Sequence, residues 1–108
     1  MNRSGKVYMK NRYCGTVLET DHGYLFQYDF DYLKNKNAEA VSSTLPLTEK
    51  PYQSKTLFAF FDGLIPEGWL LDIAEKNWKV NHKDRMGLLL TCCKDCIGAV
   101  SVLKNEEL

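Results

Sequence analysis

One stretch of the chain, GTVLETDHGYLFQY at residues 15–28, decides the fold that the sequence predicts. Its last five residues have a period of two, so that Tyr24, Phe26 and Tyr28 lie on one face of an extended segment. This period is typical of a β-strand with one buried face. Gly23 precedes that strand and accepts the positive φ that a tight hairpin turn requires. The stretch therefore predicts two antiparallel strands joined by a turn.

The residues on both sides of this hairpin complete an α+β fold. Asp29 and Asp84 are placed to cap helices, and Pro66 and Glu67 suit the start of a helix. The order of elements predicts a small, mainly antiparallel sheet, formed by an N-terminal meander and a C-terminal strand, with about three helices packed on it in a single domain over residues 1–108. We expect strands at 6–10, 15–19, 24–28 and 96–103, helical segments at 29–34, 56–62, 67–79 and 84–93, an extended segment at 41–46 and a polar loop at 48–54.

Length and charge exclude several classes of protein. Of 108 residues, 44% are hydrophobic and 26% are charged, which is typical of a globular domain and not of a disordered chain. We expect no two-lobed kinase and no full dinucleotide-binding domain in a chain of this length. The 14 basic and 14 acidic side chains give zero formal net charge, which argues against a dedicated nucleic-acid binder. The sequence shows no targeting segment and no apolar run of roughly 20 residues, so we expect a cytoplasmic protein.

The sequence contains no recognisable catalytic motif. Glycine-rich phosphate loops, His-Glu-x-x-His and Gly-x-Ser-x-Gly are all missing. His22 and His82 fall in predicted turns, where a histidine is usually solvated. We expect no catalysis, no cofactor and no metal. The four cysteines are Cys14, Cys92, Cys93 and Cys96. We expect them to be reduced thiols, and the alternatives are a metal site or a redox-active Cys-x-x-Cys pair.

The predicted helix at residues 67–79 carries the side chain that we expect to contact a partner. On a helical wheel its apolar residues form one sector, and its charged residues lie opposite. Trp69 lies at the rim of that sector, in the first turn, where a tryptophan is either half-buried core or an anchor for a partner protein. Trp78 lies well inside the sector, so we interpret it as core.

Five short blocks, in order, are similar to the N-terminal domain of HipA-type serine/threonine kinase toxins. Ser42 and Thr44 occupy the small-hydroxyl positions of the family's S-x-S-L-P-L block, and Ile65 replaces a usual leucine in its F-F-x-x-L-L-P-E-G block. The resemblance covers roughly residues 5–103, and its specificity comes from the order and spacing of the blocks. These blocks are GTVLE at 15–19, YLFQYD at 24–29, VSSTLPL at 41–47, FFDGLIPEG at 60–68 and DCIGAV at 95–100.

The resemblance implies a role in a toxin–antitoxin system. In the long toxins this domain precedes a kinase core, whereas this sequence ends at Leu108, so we expect the HipS-like small protein of a split HipBST-type system. Such a protein is an antitoxin that binds and neutralises the kinase, and a DNA-binding antitoxin subunit is a further partner that the resemblance allows in the complex. We expect no direct contact with nucleic acid or membrane. The residues that we expect to contact the kinase are Ile65, Pro66, Glu67, Gly68 and Trp69.

Two other classes of function stay open on the sequence. The first is an N-terminal interaction domain excised from a full-length HipA-like kinase toxin, which would mediate dimer or antitoxin contacts. An in-frame continuation of the gene would favour that domain over a separate antitoxin. The second is a small redox or metal enzyme that uses Cys92, Cys93 and Cys96, which metal analysis and a measurement of the thiol pKa would test.

Overall fold

The computed structural model describes residues 3–65, 84–92 and 99–105 of the chain. Within those ranges five strands form one antiparallel sheet in the order β4-β3-β2-β1-β5, accompanied by three helices. The predicted α+β class, with an N-terminal meander and a C-terminal strand in one sheet, is confirmed. The elements are β1 Ser4–Met9, β2 Arg12–Thr20, β3 Gly23–Tyr28, α1 Phe30–Leu33, β4 Tyr52–Ser54, α2 Ala59–Asp62, α3 Arg85–Cys92 and β5 Val100–Lys104.

Two tight turns connect the strands of the meander. Lys10 and Asn11 join β1 to β2 with φ values of 50° and 69°, the left-handed pair that matches the twist of a two-residue hairpin. Gly23 opens β3 with a φ of 145°, and a Cβ atom there would collide with the carbonyl oxygen of Ser54. Glycine is therefore required at this position both by its backbone conformation and by the close approach of β4.

A β-bulge interrupts the pairing of β1 with β2. Val7 pairs with Gly15 and Tyr8 pairs with Tyr13, so Cys14 has no residue opposite it in the ladder. The extra residue turns the Cys14 side chain toward the core, where it is fully buried. The bulge thus shifts the alternation of inward-facing and outward-facing residues by one position between the first half of β2 and the second half of β2.

The core lies on one face of the sheet. Alternate residues of the central strands point inward, among them Val7, Val17 and Phe26, and all three are fully buried. α3 covers this face, since a Cβ atom at Gly5 of β1 would collide with the Leu90 side chain. The apolar residues of α3 that join this core are Met86, Leu88, Leu89 and Leu90.

The structure corrects two expectations in the middle of the chain. Residues 48–54, expected to be a polar loop, contain the edge strand β4, in which Tyr52 pairs with Phe26 of β3. Residues 41–46, expected to be extended, form a tight turn closed by the N–H of Leu45, which donates to the Ser42 carbonyl at 3.0 Å. The Tyr28 hydroxyl holds this turn, because it donates to the Leu45 carbonyl and accepts from the N–H of Val41.

The other predicted elements differ from the structure mainly at their ends. Asp29 caps α1 as expected, with its carboxylate accepting from the N–H of Tyr32 at 3.2 Å. α2 is shorter than the predicted 56–62, and β5 ends one residue beyond the predicted 96–103. The predicted helix at 67–79 lies outside the described residues.

Candidate partner-binding site

The predicted partner-binding block begins at the end of α2. Ile65 is its only member among the described residues, and Pro66, Glu67, Gly68 and Trp69 lie outside them. The Ile65 side chain is 2% exposed and belongs to the core, and its N–H donates to the Asp62 carbonyl at 3.2 Å. Ile65 therefore anchors the start of the block and offers no surface for direct contact with a partner.

Aromatic packing holds α2 on the sheet. The Phe61 ring is fully buried and lies edge-on to Phe26 of β3, with 5.2 Å between the ring centroids. Phe58 and Phe60 flank Phe61 with centroid distances of 6.2 Å and 5.2 Å, also edge-on. Edge-to-face pairs at these distances are favourable beyond the apolar area that they bury. The cluster fixes the position of the chain just before residue 66.

An ion pair joins the end of α2 to the start of α3. The Nε of Arg85 donates to the Oδ1 of Asp62 at 2.6 Å, although the two residues are 23 positions apart in sequence. Residues 66–83 lie between these two positions in the sequence. The hydrogen bond between Arg85 and Asp62 therefore holds the start of α3 beside the end of α2.

A second ionic cluster, formed by Arg3, Glu19 and Asp84, lies at the start of α3. The Nε and Nη2 of Arg3 donate to the two carboxylate oxygens of Glu19 at 2.8 Å and 2.9 Å. Nη1 and Nη2 donate to the two oxygens of Asp84 at 2.8 Å and 2.9 Å. We call this cluster the Arg3 clasp. It joins the N-terminal end of the chain, β2 and α3 through two bidentate contacts, the strongest geometry for an arginine–carboxylate pair.

The clasp changes the proton affinity of all three side chains. Hydrogen bonds from Arg3 are the main cause that lowers the pKa of Glu19, and they also lower the pKa of Asp84. The same bonds raise the pKa of Arg3 above its already high ordinary value. Asp84 has a further role, because its Oδ1 accepts from the N–H of Gly87 at 3.2 Å and so caps α3.

An open groove lies beside α2. It is lined by apolar side chains of the segment before and within α2, including Leu57 and Phe58, and by the hydroxyl-bearing residues Thr44 and Thr56. Asp62 and Arg85 also line it, so the ion pair between α2 and α3 borders this concave surface. A concave apolar surface with a few polar groups at its border suits the side chain of a protein partner.

The described residues bear on the metal and thiol chemistry that the sequence left open. No group of three or more His, Cys, Asp or Glu side chains in those parts of the chain is placed to hold a metal ion. Burial, followed by the charge of Asp29, raises the pKa of the Cys14 thiol to about 12, so the thiol is protonated and unreactive at neutral pH. His82, Cys93 and Cys96 lie outside the described residues, as does the side chain of Cys92.

Several residues of the site were not identified from the sequence. Asp84 was predicted as a helix cap, whereas Arg3, Asp62 and Arg85 carried no prediction. Their partners lie 16 to 81 positions away, beyond the reach of a local pattern. The signal that could have drawn attention to them is the pair of adjacent, oppositely charged residues Asp84 and Arg85 at the start of a predicted helix.

The sequence matches the HipA N-terminal domain family over residues 5–103. The chain belongs to this family. A solved structure described as the N-terminal domain of HipA toxin has the same fold, with a TM-score of 0.75 and 27% sequence identity, over 98% of this chain and 95% of that one. A protein of Haemophilus influenzae, described as uncharacterized, is 30% identical over 105 residues, which are 97% of this chain and 95% of that protein.

Membership of the HipA N-terminal domain family gives the chain a HipA-related place in toxin–antitoxin systems and implies association with HipA-type proteins. The family match includes every described strand and helix except the first residue of β1 and the last residue of β5. No helix in the described part of the chain is long and apolar enough to cross a membrane.

Proposed function

We propose that this protein is a non-catalytic antitoxin of the cytoplasm, which binds and neutralises a HipA-like serine/threonine kinase toxin. The observation that carries the proposal is that both flanks of residues 66–83 are held by the fold. Ile65 is buried on one side, and Asp84 is held by the Arg3 clasp on the other. Membership of the HipA N-terminal domain family supports a HipA-type protein as the partner.

Fixed flanks suit a segment that binds a protein partner. An inhibitor needs a preorganised surface with one or two large anchors, because ordering a mobile segment on binding would weaken the complex. Trp69 is the anchor that we propose, four residues after the buried Ile65. Tryptophan is among the residues most enriched at the energetic centres of interfaces. Glu67 and Gly68, with Pro66, complete the proposed contact block.

The test is co-expression of the chain with a HipA-like kinase from the same genome. We expect Trp69→Ala to abolish rescue of growth and to weaken binding by about 2 kcal/mol or more, roughly thirtyfold. Phe30→Ala is the matched control, since Phe30 is a 55% exposed aromatic residue at the start of α1. Unchanged neutralisation by a folded Trp69→Ala variant would refute the anchor, and absence of any complex with the unmodified chain would refute the antitoxin.

A second candidate function is favoured by one comparison. The solved structure with the same fold is described as the N-terminal domain of a HipA toxin, in which this fold is a domain of the toxin itself. The chain would then be an interaction domain of a full-length HipA-like kinase, mediating dimer or antitoxin contacts. Sequencing the gene beyond codon 108 distinguishes the two, because an in-frame kinase core supports the domain and a separate kinase gene supports the antitoxin.

The composition of the complex is a further part of the proposal. With zero formal net charge the chain offers little attraction for nucleic acid, so we propose that any contact with operator DNA is made by a DNA-binding antitoxin subunit. Purifying the tagged chain from its host and identifying the bound proteins tests this. A kinase together with a DNA-binding protein is the expected result, and direct DNA binding by the isolated chain would contradict it.

A further inference from the structure

The sheet has an outer face, which lies opposite the core. The core side chains of α2 and α3 pack on the inner face, and alternate residues of each strand point the other way. Within the described residues, none of the large apolar side chains of the outer face belongs to the core or packs against it. These side chains are Tyr8 of β1, Tyr13 and Leu18 of β2, Leu25 of β3 and Leu103 of β5.

Four of these side chains form two pairs across neighbouring strands. Tyr8 and Tyr13 are partners in the ladder, and their rings lie edge-on with 5.9 Å between the centroids. Leu18 and Leu25 lie directly opposite each other on β2 and β3. We call them the tyrosine pair and the leucine pair. Tyr13 is 37% exposed and Leu103 is 38% exposed, and apolar side chains gathered on one open face are typical of a contact surface.

Lys6 of β1 lies between the two pairs. It is opposite Thr16 on one side and Leu103 on the other, and the Tyr8 position is about 7 Å further along the strand. Among the described strand residues that point outward, Lys6 is the only charged one, and no ion-pair partner lies beside it there. An exposed ammonium group between two apolar pairs favours a partner that brings a carboxylate.

Area and charge favour a helix of another protein over a second copy of this chain. The five strands, about 4.8 Å apart and about six residues long, give the outer face a flat area of roughly 500 Å². A standard interface covers about 800 Å² on each partner, so two outer faces alone are too small for a stable dimer. They would also bring Lys6 of each copy to a face whose described strand residues hold no carboxylate. One helix, about 10 Å wide, fits this area.

We propose that the outer face binds an amphipathic helix of a protein partner, with an Asp or Glu opposite Lys6 and apolar side chains on the tyrosine pair and the leucine pair. A helix rises about 5.4 Å per turn, so an acidic residue with apolar residues three or four positions before and after it matches the spacing on the sheet. An extended peptide would instead pair with a sheet edge. The outer face lies on the side of the sheet opposite α2, so the inference goes beyond the proposed antitoxin function and does not depend on it.

The first experiment identifies the segment that lies on the outer face in the host cell. Benzoylphenylalanine, a photo-cross-linking amino acid, is introduced at Tyr13 or at Leu103 of the full chain, and the cross-linked peptides are sequenced by mass spectrometry. We expect both positions to cross-link the same polypeptide, through a segment with the spacing of acidic and apolar residues given above. Lys36, an exposed residue after α1, is the control position and should not cross-link that segment.

Three results of the cross-linking overturn the proposal. The first is a cross-link that joins only two copies of this chain or two parts of one copy. The second is the absence of a cross-link from both Tyr13 and Leu103. The third is a cross-linked segment that lacks an acidic residue between apolar ones, because such a segment offers nothing to Lys6. Capture of another protein without this spacing therefore does not support the proposal.

The second experiment reverses the charge of Lys6 and measures affinity for the purified cross-linked polypeptide. We expect Lys6→Glu to weaken binding about tenfold or more, and Lys6→Arg to retain it. A lysine in place of the partner's acidic residue should restore binding to Lys6→Glu. Lys36→Glu makes the same change of charge at an exposed position away from the outer face and should bind normally. Normal binding by Lys6→Glu, or no rescue by the partner's lysine, overturns the proposal.

A third measurement tests the apolar part of the outer face. Leu103→Ser removes a 38% exposed side chain of this face and should weaken binding to the same polypeptide about fivefold. Leu47→Ser is the matched control, because Leu47 is 39% exposed and lies outside the sheet. Equal affinities of the two variants would overturn the proposal. Circular dichroism of each variant confirms that the exposed substitutions leave the fold intact.

Discussion

The meander of β1, β2 and β3 and the region around α2 and α3 are held together in different ways. The meander has backbone pairing along all three strands, interrupted at the bulge of β2, and a row of fully buried side chains such as Val7 and Val17. The start of α3 is tied to the rest of the fold by charged side chains, among them Arg3 and Asp84, which are 81 positions apart in sequence. The meander is thus a scaffold stabilised by pairing between neighbouring strands. By contrast, a few contacts between residues distant in sequence hold the start of α3, which follows residues 66–83.

The largest expected effect comes from Phe61, where the two regions meet. Its ring is fully buried against Phe26, so Phe61→Ala should lower the free energy of unfolding by about 3–5 kcal/mol. Urea denaturation followed by circular dichroism measures this. Phe30→Ala, at a 55% exposed position, should change the same quantity by less than about 0.5 kcal/mol. Similar losses for both variants would mean that α2 is not packed on the sheet as described.

A smaller effect is expected at Tyr28, the side chain by which the meander holds the turn at 41–45. Tyr28→Phe leaves the Leu45 carbonyl and the Val41 N–H without their partner and should cost about 1–3 kcal/mol of unfolding free energy. Burial raises the pKa of Tyr28 to about 12, above its ordinary value near 10.

The raised pKa of Tyr28 also predicts a dependence on pH. The unfolded chain loses this proton first, so the contribution of the hydroxyl is fully present below about pH 10 and is lost as the pH rises toward 12. Unfolding of the original chain and of Tyr28→Phe, measured from pH 8 to pH 11.5, should show a gap in stability that narrows with increasing pH. A constant gap would argue against a buried, hydrogen-bonded hydroxyl.

The smallest expected effect lies in the Arg3 clasp. The pKa values of Glu19 and Asp84 are lowered in the folded chain, so their contribution is present above about pH 4, the unfolded value, and is lost as the pH falls. At neutral pH Arg3→Met should cost about 1 kcal/mol or less, and the loss should shrink on acidification and in high salt. Acid titration of both proteins, followed by thermal unfolding, checks this. A larger loss at pH 3 than at pH 7 would contradict the assignment.

The parts of the fold that follow from local pattern were predictable. The period of two at residues 24–28 identified β3, and a capping aspartate identified the start of α1 and of α3. β4 was missed because it has only three residues, YQS, and is a strand only through its pairing with β3. The turn at 41–45 was read as extended because the hydroxyl that holds it belongs to Tyr28, far away in sequence.

The candidate site was predicted from two sources, the position of Trp69 on a helical wheel and the resemblance to a family. The block at residues 60–68 pointed to the part of the chain that we propose contacts the partner, but its buried member, Ile65, could not be distinguished from its neighbours without the core in view. The Arg3 clasp could not be predicted from the sequence, because Arg3 binds carboxylates at positions 19 and 84 that only the folded chain brings next to it. The proposed role of Trp69 stays a prediction.

The bulge at Cys14 has a consequence for measuring how the sheet opens. Its thiol is fully buried, and its raised pKa of about 12 keeps it protonated at neutral pH. A thiol reagent can therefore modify Cys14 only after the packing on the core face of the sheet has opened, so its labelling rate follows opening at this face. Mass spectrometry of peptides resolves Cys14 from Cys92, Cys93 and Cys96. The chain thus carries, without any engineering, a probe for the opening of its own sheet.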